Sequence, residues 1–299
     1  MRLSLVVLLF ASRVAAQELE PRSYSPSPIG ASFFVMNYSY SSGGILFDPT
    51  IPVTGVHAYV SAITPAYGHT FAIGNAQALF TIGMPYAWGP FLGQVVTTGQ
   101  DSSITRAGVG DLRAKFSLNF IGSPALTPAE FAKRPPSRFL MGASLAISAP
   151  TGQYFADKLI NIGANRWAFK PEIGASYNWN AKLYLDLYAG AWLFGTSHNF
   201  YPGTSTQTQD PLVSLQFHAS YTFMPRTYLA LESTWYNGGQ SHLNNGPPST
   251  RTDNTRIGLL FAYGFTPKQS VKVSWSDGAT VRVGSAYTTW AVAYQVLWF

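Results

Sequence analysis

Residues 182–195 read KLYLDLYAGAWLFG and alternate between two kinds of side chain. Leucine or alanine occupies every second position from Leu183 to Leu193, whereas the positions between them carry mostly polar or aromatic residues. A period of two is typical of a β-strand, whose successive side chains point to opposite faces, and differs from the 3.6-residue period of a helix. The stretch therefore predicts a strand with one apolar and one more polar face.

The same alternation recurs through most of the chain after residue 30. It predicts twelve strands, at 31–42, 56–64, 69–82, 107–120, 138–149, 166–179, 182–196, 210–223, 227–238, 255–265, 270–277 and 287–299. The connections after strands 6, 8 and 10 are tight, whereas those after strands 3, 5, 7, 9 and 11 are long and rich in Gly, Pro and Ser. The connection at 122–137 is also long and is predicted to hold a short helix at 128–133.

Composition excludes several common classes of protein. Of the 299 residues, 46% are hydrophobic and only 11% are charged, whereas a soluble domain carries roughly 25% charged residues. After residue 16, no uninterrupted apolar run approaches the ~18 to 20 residues that a membrane-spanning helix needs. The chain has no Cys, so a disulfide scaffold is excluded.

Strands that face lipid must close into a barrel, because an open sheet edge cannot satisfy its backbone hydrogen bonds in hydrocarbon. Alternating short and long connections are typical of such barrels, which have short periplasmic turns and long external loops. The predicted fold class is therefore all-β, a transmembrane antiparallel up-and-down β-barrel of about 12 strands in the bacterial outer membrane. Twelve strands enclose a narrow lumen.

The first 16 residues predict a cleaved secretory signal peptide, with a positive start at Arg2 and a short apolar region at 3–11. Cleavage removes Arg2 and Arg13, which lowers the formal charge from +6 to +4. Residues 17–30 are predicted to form a periplasmic N-terminal segment, either a plug or lid of the lumen or a disordered leader. Residues 31–299 are predicted to form the outer-membrane β-barrel. No Lys/Arg cluster points to a nucleic-acid partner.

The strand faces opposite the apolar ones are predicted to line the lumen. Their charged members are five basic and three acidic residues. The predicted lumen-lining residues are Arg113, Lys115, Asn119, Arg166, Lys170, Glu172, Tyr184, Asp186, Tyr188, Gln216, His218, Glu232 and Lys272. Such residues either set the selectivity of a pore, with a slight preference for anions, or form a salt-bridge network that rigidifies a closed barrel.

Aromatic residues on the apolar faces predict the two boundaries of the membrane, because amphipathic rings settle where lipid meets water. Those at the external strand ends are Trp167, Trp235 and Trp275, and those at the periplasmic ends are Tyr177, Tyr221 and Phe223. Outer-membrane lipid is therefore an expected partner.

The two ends of the barrel suggest further partners. The chain ends in Phe299, and this resembles the terminal aromatic residue of bacterial outer-membrane barrels that the barrel-assembly machinery reads. On the external side, Arg251, Arg256 and Arg282 either meet the phosphates of lipopolysaccharide or are solvated loop charges.

His218 and Ser220 share one face of a predicted strand, as His and Ser do in outer-membrane lipid hydrolases, where the His activates the Ser. The predicted face is the lumen rather than lipid, and no acidic or amide group is identifiable beside the pair. The five His are dispersed, without Cys or an HExxH motif, so no metal site is expected. An enzyme is therefore not expected, and neither is a cofactor.

Three pieces of sequence occur in a distinctive order. Residues 108–113 read GVGDLR, residues 149–154 read APTGQY, and residues 161–167 read NIGANRW and run into 169–172, FKPE. This order resembles the outer-membrane barrel family named for the MetA pathway of phenol degradation. The resemblance covers roughly residues 70–299 and is clearest over 107–177. It implies an outer-membrane barrel that passes hydrophobic or aromatic compounds.

These observations favour a channel for passive passage of small solutes, aromatic or otherwise hydrophobic. The alternative is a closed barrel with a structural or surface-interaction role, which presents loops such as 238–254. The lipid hydrolase is a third and weaker alternative.

Overall fold

The structure is a computed structural model that describes residues 20–46, 53–95 and 100–299. Within those ranges the chain forms seventeen β-strands and one short helix. The signal peptide predicted for residues 1–16 lies outside the described residues. In the same described ranges, no helix has the length and apolar character needed to cross a membrane.

The elements follow one another with mostly short gaps. They are β1 (Ser32–Leu46), β2 (Val53–Ile73), β3 (Ala76–Gly83), β4 (Tyr86–Val95), β5 (Gln100–Val109), β6 (Leu112–Pro124), α1 (Pro128–Lys133), β7 (Phe139–Ala149), β8 (Ala168–Asn178), β9 (Leu183–Phe194), β10 (Ser197–Phe200), β11 (Ser205–Gln209), β12 (Leu212–Met224), β13 (Thr227–Gly238), β14 (Ser241–Leu243), β15 (Thr252–Tyr263), β16 (Gln269–Thr280) and β17 (Gly284–Trp298). The twelve strands that span the wall are joined by antiparallel ladders.

The wall closes on itself without a free edge at its seam. Around the barrel, the hydrogen-bonded order is β1, β2, β3, β6, β7, β8, β9, β12, β13, β15, β16 and β17. Closure occurs because β1 pairs on both sides, with Tyr38 opposite Ile63 of β2 and opposite Val292 of β17. The predicted fold class and the number of spanning strands are confirmed.

One pair of wall strands is continued at its external end by a separate hairpin. β2 pairs with β3 through residues 66–73 and with β4 through residues 53–63. In turn, β3 pairs with β6 and β4 pairs with β5. The β4–β5 hairpin therefore extends the β3–β6 pair across two interruptions, at Met84-Pro85 and at Gly110-Asp111.

The predicted boundary between strands 2 and 3 is wrong. β2 runs through Pro65 without a break, and the chain turns at Gly74-Asn75 instead. The carbonyl oxygen of Pro65 accepts a hydrogen bond from the Met84 N–H, at the interruption between β3 and β4. Because the nitrogen and the carbonyl of a strand residue point to the same side, the missing N–H of Pro65 also faces this interruption. A proline fits inside this strand because the ladder is already broken there.

The sequence pattern also misses β4 and β5, because it assigns residues 83–106 to an external loop. Gly89 and Pro90 have the character of loop residues. A side chain at position 89, however, would lie 1.8 Å from the Tyr59 carbonyl oxygen, so the glycine permits close approach of paired strands. β10, β11 and β14 also arise in predicted loops, where they form a separate three-stranded sheet.

The short helix predicted at 128–133 is confirmed as α1. The Thr127 side chain accepts a hydrogen bond from the Glu130 N–H, and the Glu130 carboxylate accepts one from the Thr127 N–H at 2.8 Å. This reciprocal capping box satisfies N–H groups at the start of the helix. The hydrogen bonds from Thr127 also lower the pKa of the Glu130 carboxyl. The capping box and the helix thus order the long connection between β6 and β7.

The wall buries polar side chains and exposes apolar ones, the reverse of a soluble protein. Asp186, Ser214 and His218 are at most 1% exposed, whereas Leu187 and Phe217 are 52% and 49% exposed. An exposed apolar face on every spanning strand suits a wall that is covered by lipid, with the polar face turned to the lumen.

This arrangement predicts a strong dependence of charge tolerance on depth. We expect Leu187→Arg, near the middle of the outer face of β9, to lower the free energy of unfolding by about 2–4 kcal/mol, because the charge must enter hydrocarbon. Leu193→Arg, on the same face near the external end, should cost about 0–1 kcal/mol. Urea titration in lipid vesicles measures both, and equal losses would contradict the assignment of the outer face.

Candidate functional site

The structure places all thirteen predicted lumen residues at positions shielded from the outside. Eight are buried, namely Asn119, Lys170, Glu172, Asp186, Tyr188, Gln216, His218 and Glu232. Five are half-buried, namely Arg113, Lys115, Arg166, Tyr184 and Lys272. Most of the buried group surrounds residues 20–30, which we call the N-terminal segment. Arg166 lies apart, where it donates a hydrogen bond to Gln209 and contacts the ring of Phe194.

Arg22 ties the N-terminal segment to one side of the lumen. Its backbone N–H donates to the Asp186 carboxylate at 3.0 Å, and its guanidinium donates to Ser220 Oγ and Thr222 Oγ1, each at 2.8 Å. The guanidinium carbon also lies 4.3 Å and 4.1 Å from the ring centres of Tyr184 and Tyr228. Three strands, β9, β12 and β13, therefore hold this one residue through charge-assisted hydrogen bonds and cation–π contacts.

Tyr24 ties the segment to the neighbouring strands β7, β8 and β9 and is fully buried. Its hydroxyl donates to the Glu172 carboxylate at 3.1 Å, and its ring packs edge-on against the Tyr188 ring at 5.1 Å. The ring rests on Gly142 and Gly174, which face each other across β7 and β8. A side-chain carbon at either glycine would lie within 2.4 Å of the Tyr24 ring. The paired glycines thus form a notch in the wall that fits this ring.

Glu172 is the centre of the charged network around the segment. Its carboxylate lies 2.8 Å from Lys170 Nζ, with both side chains 5% exposed. It also accepts a hydrogen bond from Gln216 Nε2 at 2.9 Å and lies 4.0 Å from Lys115 Nζ. A buried carboxylate needs such partners, because an unpaired charge is costly away from water.

Further contacts of the segment reach β3 and β6. The Ser27 N–H donates to Gln77 Oε1 of β3 at 2.9 Å, and Asn119 Nδ2 of β6 donates to the Tyr24 carbonyl at 3.1 Å. The segment then enters β1. Because its partners lie on consecutive wall strands from β3 round to β13, the segment lies inside the barrel at this level. These contacts hold residues 20–30 inside the barrel.

His218 does not form a catalytic pair with Ser220. Ser220 Oγ accepts its hydrogen bond from Arg22, and neither ring nitrogen of His218 has a hydrogen-bond partner. The His218 ring instead contacts the Tyr188 ring at 5.1 Å. A hydrolase needs the Ser–His hydrogen bond, so this geometry does not support that alternative. Across the described part of the chain, no three His, Cys, Asp or Glu side chains are grouped to hold a metal.

The external half of the lumen contains an apolar surface that the sequence pattern does not predict. We call it the apolar stripe, and it consists of Val56, Ala58, Val60 and Ala62 of β2 with Ala87 and Phe91 of β4. All six are at most 4% exposed. Ile160, from the connection between β7 and β8, and Tyr287 of β17 pack against it. One side of the inner wall is thus apolar, whereas the predicted lining is polar throughout.

A sequence signal for the stripe exists but is faint. Small aliphatic residues alternate in β2 with Tyr59 and Ile63, which are 38% and 39% exposed on the outer face. Apolar residues therefore occur on both faces of the strand, and a rule that assigns apolar residues to lipid cannot choose between them. Residue size is the remaining signal, since the large side chains face lipid and the small ones face the lumen.

One of the three external arginines differs from its prediction. Arg251 and Arg282 are exposed, as a contact with lipopolysaccharide would require. Arg256 instead points into the barrel, where its guanidinium donates to Ser276 Oγ and to the Tyr287 carbonyl, each at 2.9 Å. It lies on the inner face of β15, so it is neither a solvated loop charge nor placed for a contact with lipopolysaccharide.

A closed antiparallel barrel with an apolar outer wall and a polar, filled interior defines a β-barrel protein of the bacterial outer membrane. More particularly, the chain belongs to the family described as "Putative MetA-pathway of phenol degradation", whose model matches residues 41–296. The family resemblance and the location expected from the sequence are confirmed.

Two of the solved structures that this chain is similar to illustrate the shared fold. The COG4313 outer membrane channel from Pseudomonas putida F1 is 20% identical, with a TM-score of 0.77 over 94% of this chain and 100% of that chain. The β domain of the Bordetella autotransporter BrkA is 9% identical, with a TM-score of 0.53 over 90% of this chain and 100% of that chain. No curated protein matches the sequence.

The buried ion pair generates a stability prediction. We expect Glu172→Gln to lower the free energy of unfolding by about 3–5 kcal/mol, because it leaves the buried Lys170 ammonium without its carboxylate. The double variant Lys170→Met/Glu172→Met should recover most of that loss. Urea titration measures both values.

The matched control is the ion pair of Asp157 and Lys158, which has the same 2.8 Å separation but is exposed. Asp157→Asn should leave the unfolding free energy almost unchanged, since exposed pairs contribute little. An equal effect of the two substitutions would show that burial is not what makes Glu172 important.

Proposed function

We propose that this protein is an outer-membrane channel through which small apolar solutes, aromatic ones included, pass passively. The observation that carries the proposal is the apolar stripe on the inner wall. Val56, Val60 and Phe91 on the lumen side offer no favourable contact to a hydrophilic solute, whereas an apolar solute exchanges water for these side chains at a favourable free energy. The word "channel" in the name of the Pseudomonas putida structure supports the same function.

Passage in this proposal proceeds in two stages. A solute first enters the external half of the lumen, where the apolar stripe replaces its contacts with water. It then meets the N-terminal segment, which Arg22 and Tyr24 hold in the periplasmic half of the lumen and which blocks the path there. Displacement of the segment opens the path to the periplasm. The solute moves down its concentration gradient, and no catalysis is involved.

The flux of matched solutes through vesicles that contain the protein tests this function. We expect a small aromatic solute to enter faster than a polar solute of the same size. The double variant Val56→Thr/Val60→Thr should reduce the aromatic flux by about tenfold, because each hydroxyl makes contact with an apolar solute less favourable.

Val273→Thr is the control, because it makes the same substitution on the outer face of β16, where Val273 is 38% exposed. It should leave the flux unchanged. If wild-type protein passes neither solute, the channel function is excluded.

A closed barrel with a structural or surface role is the second candidate, and the filled lumen is the observation that favours it. Conductance across a planar bilayer separates the two. For a channel, we expect Arg22→Ala to raise the open probability, because it removes the guanidinium contacts with four side chains. Arg282→Ala removes an exposed arginine and should have no effect. If wild type and Arg22→Ala both fail to conduct or pass solute, the closed barrel is favoured.

We also propose two partners for the surfaces of the barrel. The barrel-assembly machinery would read β17 and the exposed Phe299 that follows it. Lipopolysaccharide phosphates would meet Arg251 and Arg282 at the external rim.

A further inference from the structure

The connection between β7 and β8, residues 150–167, folds inward and is held by the neighbouring strands. We call it the inward loop. The Leu112 N–H donates to Thr151 Oγ1 at 2.9 Å, and the Gln153 N–H donates to the Val109 carbonyl at 2.7 Å. These bonds fasten the start of the loop at the interruption between β5 and β6.

Asp111 joins the two ends of the inward loop. One carboxylate oxygen accepts a hydrogen bond from the Gly152 N–H and the other accepts one from the Ala164 N–H, each at 2.9 Å. The side chain is buried, so water competes little for these charge-assisted bonds. A carboxylate has two acceptor oxygens in one plane, and here each end of the loop takes one of them.

Three glycines permit this close packing. A side-chain carbon at Gly152 would lie 2.7 Å from the Gly110 backbone, and one at Gly163 would lie 2.7 Å from the Gly152 backbone. One at Gly108 would lie 1.7 Å from the Gln153 side chain. The sequence pieces that carry the family resemblance therefore meet at one point, and their glycines are explained by contact of the chain with itself rather than by a bound ligand.

The fastened loop carries two isoleucines to the apolar stripe. The Ile160 carbonyl accepts a hydrogen bond from Arg106 Nε at 2.8 Å, and the Ile160 side chain is 9% exposed in the apolar cluster. Ile162 packs against the same cluster. Together these side chains cover the surface that an apolar solute must reach.

The geometry points to Asp111 as the positioning residue of the inward loop, and to Ile160 and Ile162 as the residues that determine solute specificity. This inference rests on the proposed channel function. A solute reaches the stripe only by taking the place of the isoleucine side chains. An apolar solute restores the contacts that are lost, whereas a polar solute does not, so the loop discriminates between them.

Two variants and two measurements test the inference. In Asp111→Asn the amide keeps one acceptor oxygen and presents a donor to the other N–H, so one end of the loop is released. Ile160→Ser keeps the hydrogen bonds of Asp111 to both ends of the loop but removes one of the apolar side chains that cover the apolar stripe. In vesicles, each variant should lower the ratio of apolar to polar solute flux by about tenfold. Asp101→Asn, which removes an exposed carboxylate from the β4–β5 hairpin, should keep the wild-type ratio.

Cysteine labelling reports on the loop without reference to transport. The chain has no Cys, so Ile160→Cys is a single reactive site. A maleimide should label it slowly in the otherwise unchanged barrel and faster when Asp111→Asn is added. Unchanged labelling would overturn the positioning role of Asp111.

The flux and labelling results separate the two levels of the proposal. Faster labelling with an unchanged flux ratio in both Asp111→Asn and Ile160→Ser would overturn the specificity role, while the channel function stands. If wild-type protein passes neither solute, the channel function and the specificity role both fail, and labelling still decides whether Asp111 holds the loop. If Asp111→Asn does not fold, Ile160→Ser alone decides the specificity role, and Asp111→Glu replaces it in the labelling test.

Discussion

The whole structure depends on one constraint, which is that every backbone N–H and C=O in hydrocarbon needs a partner within the protein. Closure through the two ladders of β1 meets it around the full circumference. Once the wall is closed, its two faces meet different surroundings, lipid outside and a confined space inside. The inversion of burial, with Leu187 exposed and Asp186 hidden, follows from that closure.

Features that depend on periodicity were predictable from the sequence. The alternation in 182–195 predicts the strand and both of its faces. The short helix at 128–133 was also expected, and the structure adds the capping box of Thr127 and Glu130 that begins it. The break in β2 was not predictable in the same way. Pro65 looks like a strand terminator, and only the position of Met84 across the ladder shows why it is accepted. The local sequence pattern predicts most of the strands, whereas an exception such as Pro65 inside β2 is explained only by how the strands pair.

The site shows the same division. The polar faces of the strands follow from alternation. The contact of these faces with the N-terminal segment does not, because Tyr24 is far in sequence from Glu172 and from the two glycines that contact the Tyr24 ring. The apolar stripe could not be predicted from alternation, because β2 carries apolar residues on both of its faces. The glycines at 108, 152 and 163 stand out in the sequence, yet their purpose emerges only when the inward loop meets Asp111.

In the proposed channel, the glycine notch bears on how the N-terminal segment would return after displacement. It is formed by missing side chains, so the wall keeps its shape whether or not Tyr24 is seated. Tyr24 is a ligand tethered to its own receptor, since the chain joins the wall at β1 only a few residues later. A short tether holds a ligand at an effective concentration of about millimolar. In the proposed channel, contacts too weak to retain a free peptide would therefore suffice to bring the displaced segment back to the same notch.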